Sequence, residues 1–235
     1  MKNSNYIIDF HSHMLPGIDD GSADIFESEK MLRASAMQGI DEVFLTSHFY
    51  AESMELKQFI SEREYAFNKL IRYLSGIEYN FPKLRLGAEV AYYMGISHSE
   101  SIKKLAIDGT NLILIEMPFF NWSKNMMSEV LDMIDSLKLI PVLAHIERYL
   151  DYVSSWDLKK MVKAGVLIQT NASFILSQPK RVNKMIKKGM VHFFGSDAHN
   201  TGSRQQQLGY AIDKLFEMNE KQAVSLLKEQ VEYLS

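Results

Sequence analysis

Cysteine is absent from the 235 residues. Its absence excludes a cysteine nucleophile and fits a reducing compartment. Proline occupies only 5 positions, and no Pro/Gly/Ser-rich linker, internal repeat or low-complexity segment interrupts the chain. Disorder is therefore not expected, and residues 1–235 read as a single domain. No apolar segment reaches 18 residues and no basic-then-apolar leader opens the chain, which predicts a soluble, unexported, cytoplasmic protein. Net charge is −3 without a long Lys/Arg run, which argues against a dedicated nucleic-acid binder. What is present is a 46% share of hydrophobic residues, enough for a substantial core, over a length normal for one α/β barrel.

The stretch Tyr6 to Gly21, YIIDFHSHMLPGIDDG, organises the rest. Tyr6, Ile7, Ile8 and Phe10 form an apolar run suited to a buried parallel strand. His11 and His13 follow at i and i+2, so both imidazoles point the same way and can grip one ion. Asp19 and Asp20 add oxygen donors. Asp24 and Glu27 then suit a capping box for a helix ending at Gly39.

Further along, strands are predicted at Glu42–Thr46, Leu84–Val90, Asn111–Glu116, Leu139–Ala144, Val166–Thr170 and Val191–Gly195. Helices are predicted at Met54–Leu74, after the N-cap Ser123 with Met127, Val130, Leu131 and Ile134 on one face, and at Arg204–Met218 and Glu220–Tyr233. Seven strands alternating with helices imply a parallel sheet. His11, His13, His48, Glu89, Glu116, His145, Asp197 and His199 all fall at or just past strand carboxyl ends. In a closed βα barrel those ends share one rim, where sites are built. Five of the seven histidines lie there. His98, in a polar turn, and His192, at a strand start, do not read as ligands.

So many imidazoles and carboxylates would be costly to desolvate without cations. The mixture suits divalent manganese, iron or zinc better than calcium or magnesium, and its size suits two or three ions. A clustered site ionises water near neutral pH and clamps both ends of an in-line displacement, the chemistry of phosphoester hydrolysis.

The order HxH, DDG, SH, GxE, IE, AHIER, SDAH resembles the polymerase and histidinol phosphatase (PHP) superfamily, whose members fold as distorted seven-stranded βα barrels. LPGIDDGS, AHIERY and GSDAHN are similar to the bacterial protein-tyrosine phosphatases of capsule and exopolysaccharide operons. Where that family often has a His-His pair after the second strand, this chain has His48-Phe49. The resemblance implies one ion on His11, His13, Glu116 and Asp197, a second on Glu89, Glu116 and His145 with Glu116 bridging, and a third on Asp20, His48 and His199. Asp19 suits the turn before Gly21. Arg148 and Arg204 are candidates to clamp the phosphoryl group, since a guanidinium fork matches two phosphate oxygens. Attack by a metal-bridging hydroxide is implied, with Asp197 or His199 passing a proton to the leaving group. Phe119, Phe120 and Trp122 stand either as an aromatic wall for a tyrosine ring or as a loop anchor in the core. The implied substrate is the phosphotyrosine of a cognate membrane-associated tyrosine kinase that controls polysaccharide export. Rival readings are a phosphatase for histidinol phosphate or another small monoester, a polymerase-associated exonuclease domain, and a metal-binding module without turnover.

Overall fold

A computed structural model describes residues 5–234; the ends of the expected unit, residues 1–4 and 235, lie outside the described residues. The chain runs β1 (Ile8–Ser12), α1 (Ile25–Met37), β2 (Glu42–Leu45), β3 (His48–Phe49), α2 (Leu56–Ser75), β4 (Lys83–Leu86), β5 (Glu89–Ala91) and β6 (Leu112–Glu116). It continues through α3 (Lys124–Leu137), β7 (Ile140–Leu143), α4 (Ser155–Lys163), β8 (Leu167–Asn171), α5 (Ala172–Ser177), α6 (Pro179–Ile186), β9 (Phe193–Gly195) and α7 (Leu208–Glu232). Short 3₁₀ turns occupy Ile96–His98, Glu100–Leu105 and Ile146–Tyr149. All named strand pairs are parallel, in a sheet β1-β2-β4 and a sheet β3-β5-β6-β7-β8-β9. The two meet where Ser12 bridges Ala198: His13 N–H donates to Ala198 O (2.9 Å) and Asp197 N–H to His11 O (2.8 Å).

Among the described residues nine strands stand where seven were expected, because one expected strand is broken in its middle and another is followed, past its expected end, by a short further strand. The segment expected at Glu42–Thr46 leaves its sheet after Leu45 and resumes as β3, and Thr46 Oγ1 accepts from Ser12 N–H (3.0 Å) at the break. The segment expected at Leu84–Val90 breaks at Gly87–Ala88, where buried Arg63 of α2 donates to Gly87 O (2.8 Å). Side chains thus satisfy ladder groups that a continuous strand would have paired. Each break hands its strand to the other sheet and makes His48 and Glu89 register partners.

β1 holds a related irregularity. Its register with β2 shifts between Asp9 and Ser12. Strict alternation would send neighbours Phe10 and His11 to opposite faces. Instead Phe10 packs in the interior with Phe44, Leu167 and Phe193, stacking on Phe193 at 4.0 Å between centroids, while His11 reaches Gln169 on the same side. The bulge places an apolar plug directly under the polar rim.

The helices follow their sequence signals with small offsets. The Asp24 side chain accepts from the Phe26 and Glu27 amides, and Glu27 reaches back to Ala23 N–H, one residue before the expected cap. In α3, Ser123 caps Met126 N–H, and Met126, Val130, Met133 and Leu137 are the buried stripe. Met127, Leu131 and Ile134 of the expected stripe only flank that core. The closing helix starts at Leu208 rather than Arg204, because Asn200 Oδ1 accepts from Gly202 and Arg204 N–H and holds a loop. Its two expected halves meet at non-helical Asn219 (φ −164°), whose side chain accepts from Gln222 N–H. Among the described residues, no helix is long and apolar enough to cross a membrane.

His98 is exposed, and His192 lies away from the rim, its Nδ1 accepting from Ile168 N–H (3.0 Å). Burial pushes the His192 pKa down to about 4. The unfolded ring binds its proton near pH 6.5, so His192 contributes stability that is complete above about 6.5 and lost as pH falls toward 4. The H192N variant keeps an acceptor in place and removes the titration. Its unfolding free energy should change less across that window than the wild type's, by an amount on the order of 1–3 kcal/mol in urea melts. Parallel pH slopes would refute the assignment.

Candidate metal centre

The rim is built by strand ends and the loops that follow them. His145 and Asp197 sit at positive φ (29° and 52°), conformations costly for residues with a side chain and characteristic of sites where geometry is held by the surrounding fold. Gly21 packs so close under the first loop that an added Cβ would lie 2.2 Å from His13 O and 2.5 Å from His13 Cβ.

Glu89 is at the centre, fully buried. Its Oε2 lies 3.0 Å from His11 Nε2, 3.3 Å from His13 Nε2 and 3.1 Å from His48 Nδ1, and its Oε1 lies 2.8 Å from His145 Nε2. Burial would raise its pKa, yet the surrounding imidazoles outweigh that and hold the carboxyl well below its ordinary range. Glu116 stands at the edge, 3.6 Å from His145 Nε2 and 3.9 Å from His48 Nδ1. Among the described residues it makes no ion pair with His11 or His13. In this structure Glu89 reaches the imidazoles of His11, His13, His48 and His145, while Glu116 reaches only His48 and His145 of these four.

Two of the imidazoles, His13 and His199, have assigned hydrogen positions because their outer nitrogens face obligate acceptors. His13 Nδ1 donates to Asp19 Oδ2 (2.7 Å) and His199 Nδ1 to Asp197 O (2.9 Å). Asp19 also accepts from Gly21 N–H and His48 N–H, the turn-organising role expected of it. The inner nitrogens then crowd together. His11 and His13 place their Nε2 atoms 3.0 Å apart, and burial notwithstanding, the hydrogen bonds to Asp19 and Glu89 raise His13 to about 10. His199 Nε2 is buried without a hydrogen-bond partner and points at Asp20 Oδ1, 3.4 Å away. Burial, reinforced by the nearby positive charge of His13, pushes His199 down to about 4, so near neutral pH that contact sets a lone pair against a carboxylate. A cation between them would relieve such a contact. This donor chemistry fits divalent metal ions.

Three groups have ligand atoms mutually within 4.8 Å: His13, Asp20, His48 and His199; His11, His13 and Glu89; and His48, Glu89 and Glu116. These groups take in His11, His13, Asp20, His48, Glu89, Glu116 and His199, with Asp20 the exposed member, while His145 and Asp197 fall outside them and lie beside Glu89 and His11. Asp197 Oδ1 lies 3.8 Å from His11 Nε2 and 3.6 Å from His13 Nε2. Burial would raise its pKa, but His11, His13 and Arg148 hold it well below the carboxylate range. Both expected arginines converge on it: Arg148 Nη2 donates to Oδ2, and Arg204 Nη2 donates to Oδ1 at 2.9 Å.

The aromatic trio divides. Trp122 is buried, donates to Pro118 O (3.2 Å) and packs on Tyr149, so it anchors the loop, while Phe119 and Phe120 are exposed. The recess beside the ligands has a different wall. A cavity of about 350 Å³ is lined by Asp20, His48, Tyr50, Met54 and Phe59, with the Tyr50 ring stacked on His48 (5.1 Å, 27°). Sequence reasoning passed over Tyr50, although its position two residues after His48 on a rim loop was a usable signal. It also passed over Gln169, which is wholly buried behind His11 and His145.

G21A should lower the urea midpoint of the metal-free chain, equivalent to about 1–3 kcal/mol, because His13 and its backbone must shift. G202A, whose added Cβ would meet only Asn200 Oδ1 at 3.5 Å, should change it by under about 0.5 kcal/mol. Equal midpoints for the two variants would show that the loop tolerates the extra atom.

Known proteins share this arrangement of chain. The protein is 30% identical over 222 residues to the tyrosine-protein phosphatase YwqE of Bacillus subtilis, covering 89% of this chain and 85% of that one. It is 26% identical over 217 residues to the tyrosine-protein phosphatase CpsB of Streptococcus agalactiae, covering 87% and 88%. A crystal structure from work on YwqE of Bacillus subtilis and CpsB of Streptococcus pneumoniae, described as metal-dependent tyrosine phosphatases, superposes with a TM-score of 0.80 at 25% identity, covering 97% and 94%. Residues 7–232 match the family model for capsular polysaccharide synthesis, CpsB/CapC, and the chain belongs to that family.

Proposed function

We propose that this protein is a metal-dependent protein-tyrosine phosphatase whose substrate is the phosphotyrosine of a cognate tyrosine kinase of capsule or exopolysaccharide synthesis. The observation that carries the reading is the meeting, on one rim, of three interlocking His/Asp/Glu groups with two half-exposed guanidinium groups. The names of the relatives, tyrosine-protein phosphatases throughout, support the substrate class. The family's link to capsular polysaccharide synthesis supports the kinase as partner. We read the two sheets as one distorted seven-stranded barrel in a single PHP-type metallophosphatase domain, with β2 and β3, and β4 and β5, each continuing one strand line. A cytoplasmic site of action agrees with the absence of cysteine.

On this reading His11, His13, Glu89 and Asp197 hold one divalent ion, Glu89, Glu116 and His145 a second, and Asp20, His48 and His199 a third, with manganese preferred to iron or zinc. Such ions, when bound, supply a nucleophile ionised near neutral pH and positive charge against the in-line displacement at phosphorus. The chain's own residues do the rest. Arg148 and Arg204 present planar donor forks from opposite sides of Asp197 and exchange that carboxylate for phosphoryl oxygens as substrate enters. Asp19 keeps His13 in the tautomer whose Nε2 faces inward. His199, pushed down to about 4, and Asp197, held below the carboxylate range, carry no proton to give near pH 7. We therefore assign both to holding ligand geometry rather than to protonating the leaving group. A phenolate, with a conjugate acid near pKa 10, leaves without that help.

Hydrolysis of a phosphotyrosine peptide should vanish with chelator and return with Mn²⁺. H11A should lose bound metal, as read by mass spectrometry of the dialysed protein. R148A and R204A should keep the metal and lose about a hundredfold in kcat/KM. Matched phosphoserine peptides should be hydrolysed at least about tenfold less efficiently, because the shorter side chain falls short of a recessed centre. Full activity without metal, or a preference for histidinol phosphate, would overturn the reading.

A further inference from the structure

Strand β8 ends at the rim like its neighbours, yet it brings no ionisable group there. It brings two amides, Gln169 and Asn171, both buried. Their hydrogen bonds run in one direction, and that direction is forced. His145 N–H can only donate, and it donates to Gln169 Oε1 at 2.6 Å. The other end of the Gln169 amide must then be the NH₂ group, and it donates to Asn171 Oδ1 (2.8 Å). With its oxygen so used, Asn171 turns its own NH₂ to Asp197 Oδ2 (2.9 Å). Gln169 Oε1 also faces His11 Nδ1 at 3.3 Å. An amide oxygen accepts only, so His11 donates from Nδ1, and its Nε2 is the nitrogen that faces Glu89 and His13.

We propose that Gln169 and Asn171 form a relay of positioning residues: one backbone N–H at His145 sets the His11 tautomer and orients the Asp197 carboxylate for metal binding. This rests on the metal-site reading above. The relay links three strand ends, those after β1, β7 and β9, through groups that stay neutral, so it adds no charge to a rim already crowded with it. Its seat is specific. Gly195 of β9 lies under it, and an added Cβ there would come within 2.7 Å of Gln169 Nε2 and 2.6 Å of His11 Cβ. A fully buried glutamine without such partners would leave its amide unsatisfied, at a cost a hydrophobic residue avoids. Asp19 does the same service for His13 with a carboxylate. The relay performs it for His11 and Asp197 together.

The two amides have separable duties, which gives the test its signature. The full chain is stripped of metal and studied as wild type, Q169M, Q169E and N171L. Mn²⁺ binding is followed by calorimetry, and the His11 tautomer of the metal-free protein by ¹⁵N–¹H correlation spectra. Wild-type His11 should show protonation at Nδ1. Q169M should lose that preference and bind Mn²⁺ about 10–100-fold more weakly. Q169E keeps an acceptor and should retain the tautomer. N171L should retain the tautomer and still lose Mn²⁺ affinity, through Asp197. Wild-type His11 without a proton on Nδ1, or N171L affinity within twofold of wild type, would overturn the proposal even if Q169M does not fold. Neither readout uses turnover, so a chain inactive on phosphotyrosine would refute the proposed function and leave this test standing.

Discussion

A fully buried carboxylate ringed by four imidazoles is the constraint on which this molecule is built. Glu89 has no water to solvate it, so its charge is stable only while positive groups surround it. Those groups come from three separate rim segments, the end of β1, β3 and the loop after β7. Holding them there dictates much of the local architecture. β1 carries a register shift, two strand lines break, and glycines stand where backbone must approach backbone. These features look like irregularities of a parallel sheet. Each of them aims a ligand.

The electrostatics of the rim are those of a site made for cations. Imidazole lone pairs and carboxylates face one another at distances that repel unless positive charge lies between them. In the metal-free protein, part of that role falls to protons, which is why His13 and His145 are held in their charged forms against burial (about 10 and about 9), chiefly by hydrogen bonds to Asp19, Glu89 and Glu116. His199, whose outer nitrogen is already committed to Asp197 O, is neutral instead. The arginines complete the balance from the open side, where Asp197 occupies them. A phosphoryl group offers the same guanidinium forks a closer match of charge and shape.

Much of this was legible along the chain. Strand ends could be located from apolar runs, and the fold gathers the ionisable residues that follow them on one rim, together with Tyr50, Gln169 and Asn171, which the sequence did not single out. That legibility has a physical basis. A parallel sheet sends every strand's carboxyl end to one edge, so chemistry-bearing residues at those ends must meet whatever the details of packing. The divided fate of the aromatic trio was harder. Phe119, Phe120 and Trp122 are similar in type and close in sequence, and only burial and the indole hydrogen bond to Pro118 O make Trp122 the anchor. The position of Tyr50 two residues after His48 pointed to the rim, but the stacking of its ring on His48 is set by tertiary contacts.

By itself the sequence determined the parallel α/β class and which ionisable residues stand at strand ends, since both depend on residue type and on a short-range period. Tertiary structure alone decided which of two strand-end acids lies beside the imidazoles of His11 and His13, because Glu89 and Glu116 differ in the break that precedes one of them. It alone decided the hydrogen positions on the imidazoles, since a tautomer is set by what the far nitrogen meets, and for His11 that is Gln169, 158 residues away along the chain. Local pattern specifies what a rim carries; how its charges and protons are shared depends on contacts between strands that no local pattern encodes.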